Sequence, residues 1–118
     1  MGIKKVIIYH NPRCSKSRQS LQLLKENNVD IDIVEYLKYP LNFNELKIIS
    51  KKLKLAPSEF IRKNESEFKK LKIKTKLTDD DAILKYIVSH PKLMERPIIV
   101  SNEKAVIGRP PERIKEIL

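Results

Sequence analysis

The stretch from Val6 to Arg18 reads VIIYHNPRCSKSR, and it sets the start of the fold. Its β-branched residues belong to an apolar run, Ile3 to Tyr9, that predicts a buried strand. A helical pattern follows from Ser15 to Asn28, and an alternating run from Asp30 to Tyr36 predicts a second strand. Because strand–helix–strand crossovers are right-handed, these two strands should run parallel.

The middle of the chain has the pattern of helices rather than strands. Asn42 and Glu45 have the spacing of a capping box, with Asn in the cap role. Pro57 begins a short helix that should carry Phe60, Ile61 and Arg62. The predicted helices run over residues 42–53, 57–62, 66–71 and 78–88.

The C-terminal part predicts a hairpin and a last helix. Ile98 to Val100 and Ala105 to Ile107 are short apolar strands separated by a turn, and Pro110 opens a helix to Leu118. The resulting order is β-α-β, a helical insertion at about residues 42–90, then β-β-α. We therefore predict one α/β domain over residues 1–118, with a four-stranded mixed sheet and its insertion between strands 2 and 3.

Composition restricts the class of protein. The 118 residues contain one cysteine, no apolar run long enough to span a bilayer and no signal-peptide pattern, so we expect a soluble cytoplasmic monomer. The net charge of +10 could favour nucleic acid or acidic partners. The lysines are scattered and accompany many isoleucines and asparagines, which indicates compositional bias, so nucleic-acid binding is not expected.

Cys14 is a candidate nucleophile because it lies between a strand and the first turn of a helix. The helix N-terminus and the nearby cations Arg13, Lys16 and Arg18 favour a thiolate, and His10 lies four residues upstream. The two flanking arginines, Arg13 and Arg18, could tune the reactivity of the thiol.

The spacing of residues around Cys14 excludes two chemistries. A dithiol oxidoreductase needs Cys-x-x-Cys, and Ser17 holds the second position. A tyrosine-phosphatase loop needs an arginine where Ser20 stands, and a papain-like pair would depend on the distant His90. A single-thiol redox enzyme regenerated by an external thiol remains. The acids at 79–81 are better explained as a helix start than as a metal site.

Four segments, in order along the chain, carry a resemblance to a known family. They are Tyr-His-Asn-Pro-x-Cys-x-x-Ser-Arg at 9–18, Phe-Ile-Arg-Lys at 60–63, Arg-Pro-Ile-Ile-Val at 96–100 and Gly-Arg-Pro at 108–110. Together they resemble the ArsC family, the glutathione- and glutaredoxin-coupled arsenate reductases with a thioredoxin-like fold.

The resemblance implies roles for individual residues. Cys14 matches the nucleophile that attacks arsenate, and His10 matches a histidine that assists it. The three arginines that hold the oxyanion correspond to Arg62, Arg96 and Arg109. Pro97 matches the cis-proline that thioredoxin-like folds place beside the active cysteine. The implied partners are arsenate, glutathione as co-substrate and a glutaredoxin, with no tightly bound cofactor or metal.

Two alternatives to arsenate reduction remain at this point. One is a general glutathione-dependent thiol or disulfide reductase of the same fold. The other is an RNA polymerase-binding regulator of the related Spx branch, which typically carries Cys-x-x-Cys; Ser17 argues against it.

Overall fold

The computed structural model describes residues 4–118 and divides them into two compact units. The first, called here the sheet unit, comprises residues 4–39 and 96–118; the second, the helical unit, comprises residues 40–95. In the sheet unit the elements are β1 (Lys5–His10), α1 (Ser15–Glu26), β2 (Asp30–Glu35), β3 (Ile98–Ser101), β4 (Lys104–Ile107) and a 3-10 helix (Pro111–Ile117). In the helical unit they are α2 (Phe43–Leu53), α3 (Ser66–Lys70) and α4 (Asp80–Ser89), with 3-10 turns at Pro57–Glu59, Ile73–Lys76 and Pro91–Leu93.

Within the described residues the sheet has four strands in the order β2-β1-β3-β4. β1 and β2 are parallel, with Lys5 opposite Asp30 and His10 opposite Glu35, so the predicted parallel pairing is confirmed. β1 and β3 are antiparallel, as are β3 and β4, which makes the sheet mixed. Asn102 takes a positive φ of 54° in the turn of the predicted hairpin. Ile3, the predicted start of the first strand, lies outside the described residues.

The core of the sheet unit lies between the sheet, α1 and the C-terminal 3-10 helix. The side chains buried there come from both ends of the chain: Val6, Ile8, Leu24, Ile99, Val106, Ile114 and Ile117. Burial of large aliphatic side chains contributes roughly 1.5–3 kcal/mol each, which makes this cluster the main source of stability for the elements around Cys14.

In the helical unit, α4 packs against α2 and against the 3-10 turns. The predicted capping box is present at the start of α2, where the Asn42 side chain accepts the Glu45 N–H and the Glu45 carboxylate accepts the Asn42 N–H. Asp79 caps α4 by accepting the Ala82 N–H. Local capping rules therefore located two helix starts correctly.

The predicted helix over residues 57–62 is wrong. Only Pro57–Glu59 forms a 3-10 turn, and the helix does not continue beyond Phe60. Ile61 forms an antiparallel bridge with Met94, and the Arg62 N–H donates to the Leu93 carbonyl. Backbone pairing with a distant segment thus replaces the local helical hydrogen bonds, and Phe60 and Ile61 are buried in the process.

The last helix also differs in type, since residues 111–117 form a 3-10 helix. Across residues 4–118, the helices are all too short or too polar to cross a membrane.

Candidate functional site

Cys14 is the N-cap residue of α1, with extended backbone angles (φ −96°, ψ 123°). Its N–H donates to the Asn11 carbonyl at 3.0 Å, and its carbonyl accepts the Arg18 N–H at 3.0 Å. The side chain is a free thiol with 9% of its surface exposed. The first N–H groups of a helix lack intrahelical partners, and the positive end of the helix dipole lies there. An anionic ligand next to the sulfur is therefore favoured.

The loop before Cys14 is held by its own hydrogen bonds. The Arg13 N–H donates to Asn11 Oδ1 at 3.0 Å, and Arg18 Nη1 donates to the Pro12 carbonyl at 3.0 Å. These bonds tie the loop to itself and to the first turn of α1, so the position of the thiol is set before any ligand binds.

His10 ends β1 and is 6% exposed. Its Nδ1 lies 2.6 Å from Ser17 Oγ, and that oxygen also accepts the Asn11 N–H at 3.0 Å. Burial lowers the pKa of His10 from its ordinary value of 6.5, and the opposing effect of Glu35 is smaller. The imidazole is therefore neutral at neutral pH, and its contact with the Cys14 helix runs through Ser17.

Arg109 approaches the thiol from the far end of the chain. Its Nη1 lies 3.8 Å from Cys14 Sγ and donates to the Arg96 carbonyl at 3.3 Å. The Arg96–Pro97 and Arg109–Pro110 peptide bonds are both cis, which confirms the expectation for Pro97; the second was not predicted. A guanidinium at this distance places a positive charge beside the sulfur.

The guanidinium of Arg96 has an unusual environment. Its Nε and Nη1 atoms are buried and have no hydrogen-bond partner among residues 4–118. Buried N–H groups of a charged side chain are costly to leave unpaired, and such orphans often mark a ligand site. A tetrahedral oxyanion carries the acceptors that these N–H groups lack.

Gly108 allows β4 to pass close to α1 and to Pro97. A Cβ at this position would come within 2.9 Å of Pro97 Cγ and would also clash with Ser20 Oγ. Ser20 Oγ donates to the Gly108 carbonyl at 3.3 Å, and the Gly108 N–H donates to the Pro97 carbonyl at 2.9 Å. The missing side chain therefore brings the residue before Arg109 against the helix that carries Cys14.

Arg62 belongs to the helical unit, and its contacts are made there. Its guanidinium pairs with the Glu65 carboxylate through Nη1 and lies 3.4 Å from Glu95 Oε1 through Nε. Its side chain is 22% exposed. Two carboxylates thus neutralise this arginine, in contrast to the unpaired nitrogens of Arg96.

The structure brings Cys14, Arg109 and the Arg96 backbone together, and it connects His10 to them through Ser17. Sequence reasoning treated Ser17 only as a sign that a second cysteine is missing. It did not predict that Ser17 links His10 and the cysteine loop by hydrogen bonds. The available signal was its position one helical turn after Cys14, on the same face of α1. No group of three His, Cys, Asp or Glu side chains within residues 4–118 is arranged to hold a metal ion.

Comparison with known sequences gives consistent matches along the chain. A model of the ArsC family matches residues 9–117. The chain is 47% identical over 116 residues to the uncharacterized protein YfgD of Escherichia coli K12, with 98% of each chain covered. It is 45% identical over 112 residues to an arsenate reductase of Neisseria meningitidis, covering 94% of this chain and 96% of the relative.

Comparison with solved structures gives the fold. An arsenate reductase structure from Vibrio cholerae matches with a TM-score of 0.95 and 40% identity, covering 99% of this chain and all of that chain. The four-stranded mixed sheet with its helices is a thioredoxin-like fold, as expected.

Proposed function

This chain belongs to the ArsC family, and from that membership and the geometry around Cys14 we propose that it is a glutathione- and glutaredoxin-dependent arsenate reductase. The observation that carries the proposal is a pair of buried Arg96 guanidinium nitrogens, Nε and Nη1, that have no hydrogen-bond partner within residues 4–118. They belong to the same unit as a thiol that lies 3.8 Å from Arg109 Nη1. These two cations suit a tetrahedral oxyanion held next to a nucleophilic sulfur. Relatives named arsenate reductase, at 45% and 41% identity, support arsenate as that oxyanion.

The proposed reaction begins with attack of the Cys14 thiolate on arsenic. An S–As bond forms, and one arsenate oxygen leaves as water after taking up protons. Arg96 and Arg109 stabilise the negative charge on the remaining oxygens. The free N–H groups at the start of α1 offer further donors to the same oxygens.

Reduction requires a second thiol, because Cys14 is the only cysteine of the chain. A glutathione thiolate forms an S–S bond with Cys14 as the S–As bond breaks. The electron pair of that bond stays on arsenic, which leaves as arsenite in the +III state. A glutaredoxin then restores the Cys14 thiol by thiol–disulfide exchange.

Arg62 is proposed as a third substrate-binding residue from the family resemblance. A guanidinium has five N–H donors. Arg62 can therefore pair with Glu65 and Glu95 and still donate to a bound oxyanion. Arg62→Gln should raise the arsenate KM. Lys63→Gln, at the neighbouring exposed residue, should leave the arsenate KM unchanged.

The test is arsenate-dependent NADPH oxidation with purified protein, glutathione, glutaredoxin and glutathione reductase. Wild type should turn over, and Cys14→Ser should not. Absence of arsenate-dependent turnover by reduced, folded wild-type protein would refute the proposal. Glutathione adduct formation at Cys14 without such turnover would favour the general thiol reductase instead.

A further inference from the structure

Arg62 and two carboxylates, Glu65 and Glu95, form one charged cluster in the helical unit. Arg62 Nη1 pairs with Glu65 Oε1, and Arg62 Nε lies 3.4 Å from Glu95 Oε1. The exposed fractions of the three side chains are 22%, 25% and 30%. Ion pairs that are partly withdrawn from water are screened less than fully exposed pairs. The cluster therefore has a defined geometry before a ligand binds.

The backbone on both sides of this cluster is fixed as well. Ile61 and Met94 form an antiparallel bridge. The Arg62 N–H donates at 2.6 Å to a carbonyl of the segment that carries Glu95, and the Glu95 N–H donates to the Phe60 carbonyl at 2.9 Å. These bonds set the position of residue 62 relative to residue 95, so the ion pair between their side chains forms without movement of the chain.

The two carboxylates contact different nitrogens of the same guanidinium. A guanidinium is planar and holds its donors in a rigid fork. Contacts at both Nε and Nη1 therefore fix the plane of the Arg62 side chain and oppose rotation about its Nε–Cζ bond. The third nitrogen, Nη2, has no partner among residues 4–118. Its two N–H groups are available to an acceptor from outside the cluster.

The second carboxylate calls for an explanation other than charge balance. One carboxylate is enough to neutralise Arg62, and a second one near the first adds electrostatic repulsion. Orientation supplies the explanation, because a single contact leaves the guanidinium plane free to turn and two contacts do not. Glu95 is also followed directly in the chain by Arg96, whose Nε and Nη1 are buried without a partner in the described residues.

We propose that Glu65 and Glu95 are positioning residues that hold Arg62 so that its Nη2 donates to the oxyanion, an inference that rests on the proposed function. The two carboxylates do not touch the substrate. They order a long, flexible side chain before arsenate arrives, which lowers the entropy cost of binding. Each carboxylate also repels the oxyanion, so its charge and its hydrogen bond have opposite effects on arsenate affinity.

The test compares Glu95→Gln with Glu95→Ala. Both variants remove the same charge, but only glutamine keeps an oxygen that accepts from Arg62 Nε. In the coupled assay the arsenate KM should be about fivefold or more higher for the alanine variant than for the glutamine variant, with a similar kcat. Glu65→Gln and Glu65→Ala repeat the comparison at Nη1. Equal KM values within either pair would overturn the role of that carboxylate.

Two controls separate positioning from a general effect on folding. In an Arg62→Met background the glutamine and alanine variants should have the same KM, because no guanidinium is left to orient. Glu116→Gln and Glu116→Ala, at the ion pair with Arg113, should not differ in KM. A persistent difference in either control would overturn the proposal. A lower apparent kcat with an unchanged KM in the alanine variants would show loss of folded protein alone and would also overturn it.

NMR of the guanidinium nitrogens measures rotation about the Nε–Cζ bond without any need for activity. In the wild type, Arg62 should rotate several times more slowly than the exposed Arg13. Glu95→Ala should remove most of that difference, and Glu95→Gln should keep most of it. Equal rotation rates for Arg62 and Arg13 in the wild type would overturn the proposal whatever the kinetics show.

Failure of the proposed function gives a different result. Arsenate binding to the reduced protein without glutathione, measured by isothermal titration calorimetry, needs no turnover. If the wild type binds arsenate but does not reduce it, and the alanine variants bind it more weakly than the glutamine variants, arsenate reduction is refuted and the positioning role stands. Normal arsenate reduction with the same KM in all four variants would overturn the positioning role alone.

Discussion

His10 Nδ1 and Ser17 Oγ lie 2.6 Å apart, and both side chains are buried. The same Ser17 oxygen accepts the Asn11 N–H, so one hydroxyl joins the end of β1, the cysteine loop and the first turn of α1. Ser17 occupies the place where a dithiol enzyme has its second cysteine. In this chain that place holds a structural hydrogen-bond link instead of a redox group.

Ser17→Ala should destabilise the protein by about 1–3 kcal/mol, because it leaves a buried imidazole nitrogen and a backbone N–H without a partner. Urea unfolding measures the change. Ser15→Ala is the matched control, since Ser15 is exposed in the same helical turn. Equal stabilities for the two variants would show that the link contributes nothing.

Stability should depend on pH through His10. Its pKa is lowered in the folded state, so the unfolded chain binds more protons than the folded one at pH values between the two pKa values. The free energy of unfolding therefore rises with pH in that interval. The contribution is fully present above about 6.5, the ordinary value, and is lost as pH falls towards the lower folded value. His10→Gln should flatten the dependence of unfolding free energy on pH between about 7.5 and 5. His90→Gln serves as the control. If only His90→Gln flattened the pH dependence of the unfolding free energy, its assignment to His10 would be wrong.

Gly108→Ala should cost roughly 1–3 kcal/mol, because its Cβ would lie 2.9 Å from Pro97 Cγ and against Ser20 Oγ. Ser20→Ala removes one of the two obstacles together with its hydrogen bond to the Gly108 carbonyl. A double-mutant cycle by urea unfolding should therefore show coupling, with Gly108→Ala costing less in the Ser20→Ala background. If the two changes in unfolding free energy simply add, Ser20 does not limit how closely residue 108 approaches α1.

Arg96→Met should raise stability while it removes arsenate use. The methionine fills similar space without the two buried guanidinium nitrogens, which have no partner among residues 4–118. Removing such groups gains about 1 kcal/mol or more. Loss of an oxyanion donor should lower arsenate turnover by about 100-fold or more. Arg113→Met, at an exposed side chain, should change neither quantity appreciably. A destabilised Arg96→Met variant with normal turnover would be inconsistent with an anion site.

Arg109→Gln should separate the two steps at Cys14. Because its Nη1 lies 3.8 Å from the sulfur, its loss should reduce arsenate turnover by about 100-fold. Oxidised glutathione forms an adduct at Cys14 that mass spectrometry can detect. Formation of this adduct should fall much less than arsenate turnover. Parallel loss in both assays would argue that Arg109 acts on the thiol alone and not on an oxyanion.

The strands of the sheet unit and most helix starts follow from local sequence. The Asn42–Glu45 capping box and the Asp79 cap act over three residues, so their sequence patterns are sufficient to find them. The prediction of a helix over residues 57–62 was wrong because a distant segment decides the conformation there. The partner of Ile61 is Met94, and no local pattern reports a pairing over that distance.

The sequence by itself determined that one thiol stands at a helix start, that no second cysteine can complete its redox cycle, and that arginines were available to bind an anion. Only the tertiary structure decided which groups face that thiol. It brought Arg109 to Cys14 across 95 positions and joined His10 to Ser17. It also buried two nitrogens of Arg96 that have no partner in the described part of the chain. Helix formation and capping depend on neighbours within a turn, whereas burial and charge pairing depend on how distant segments pack.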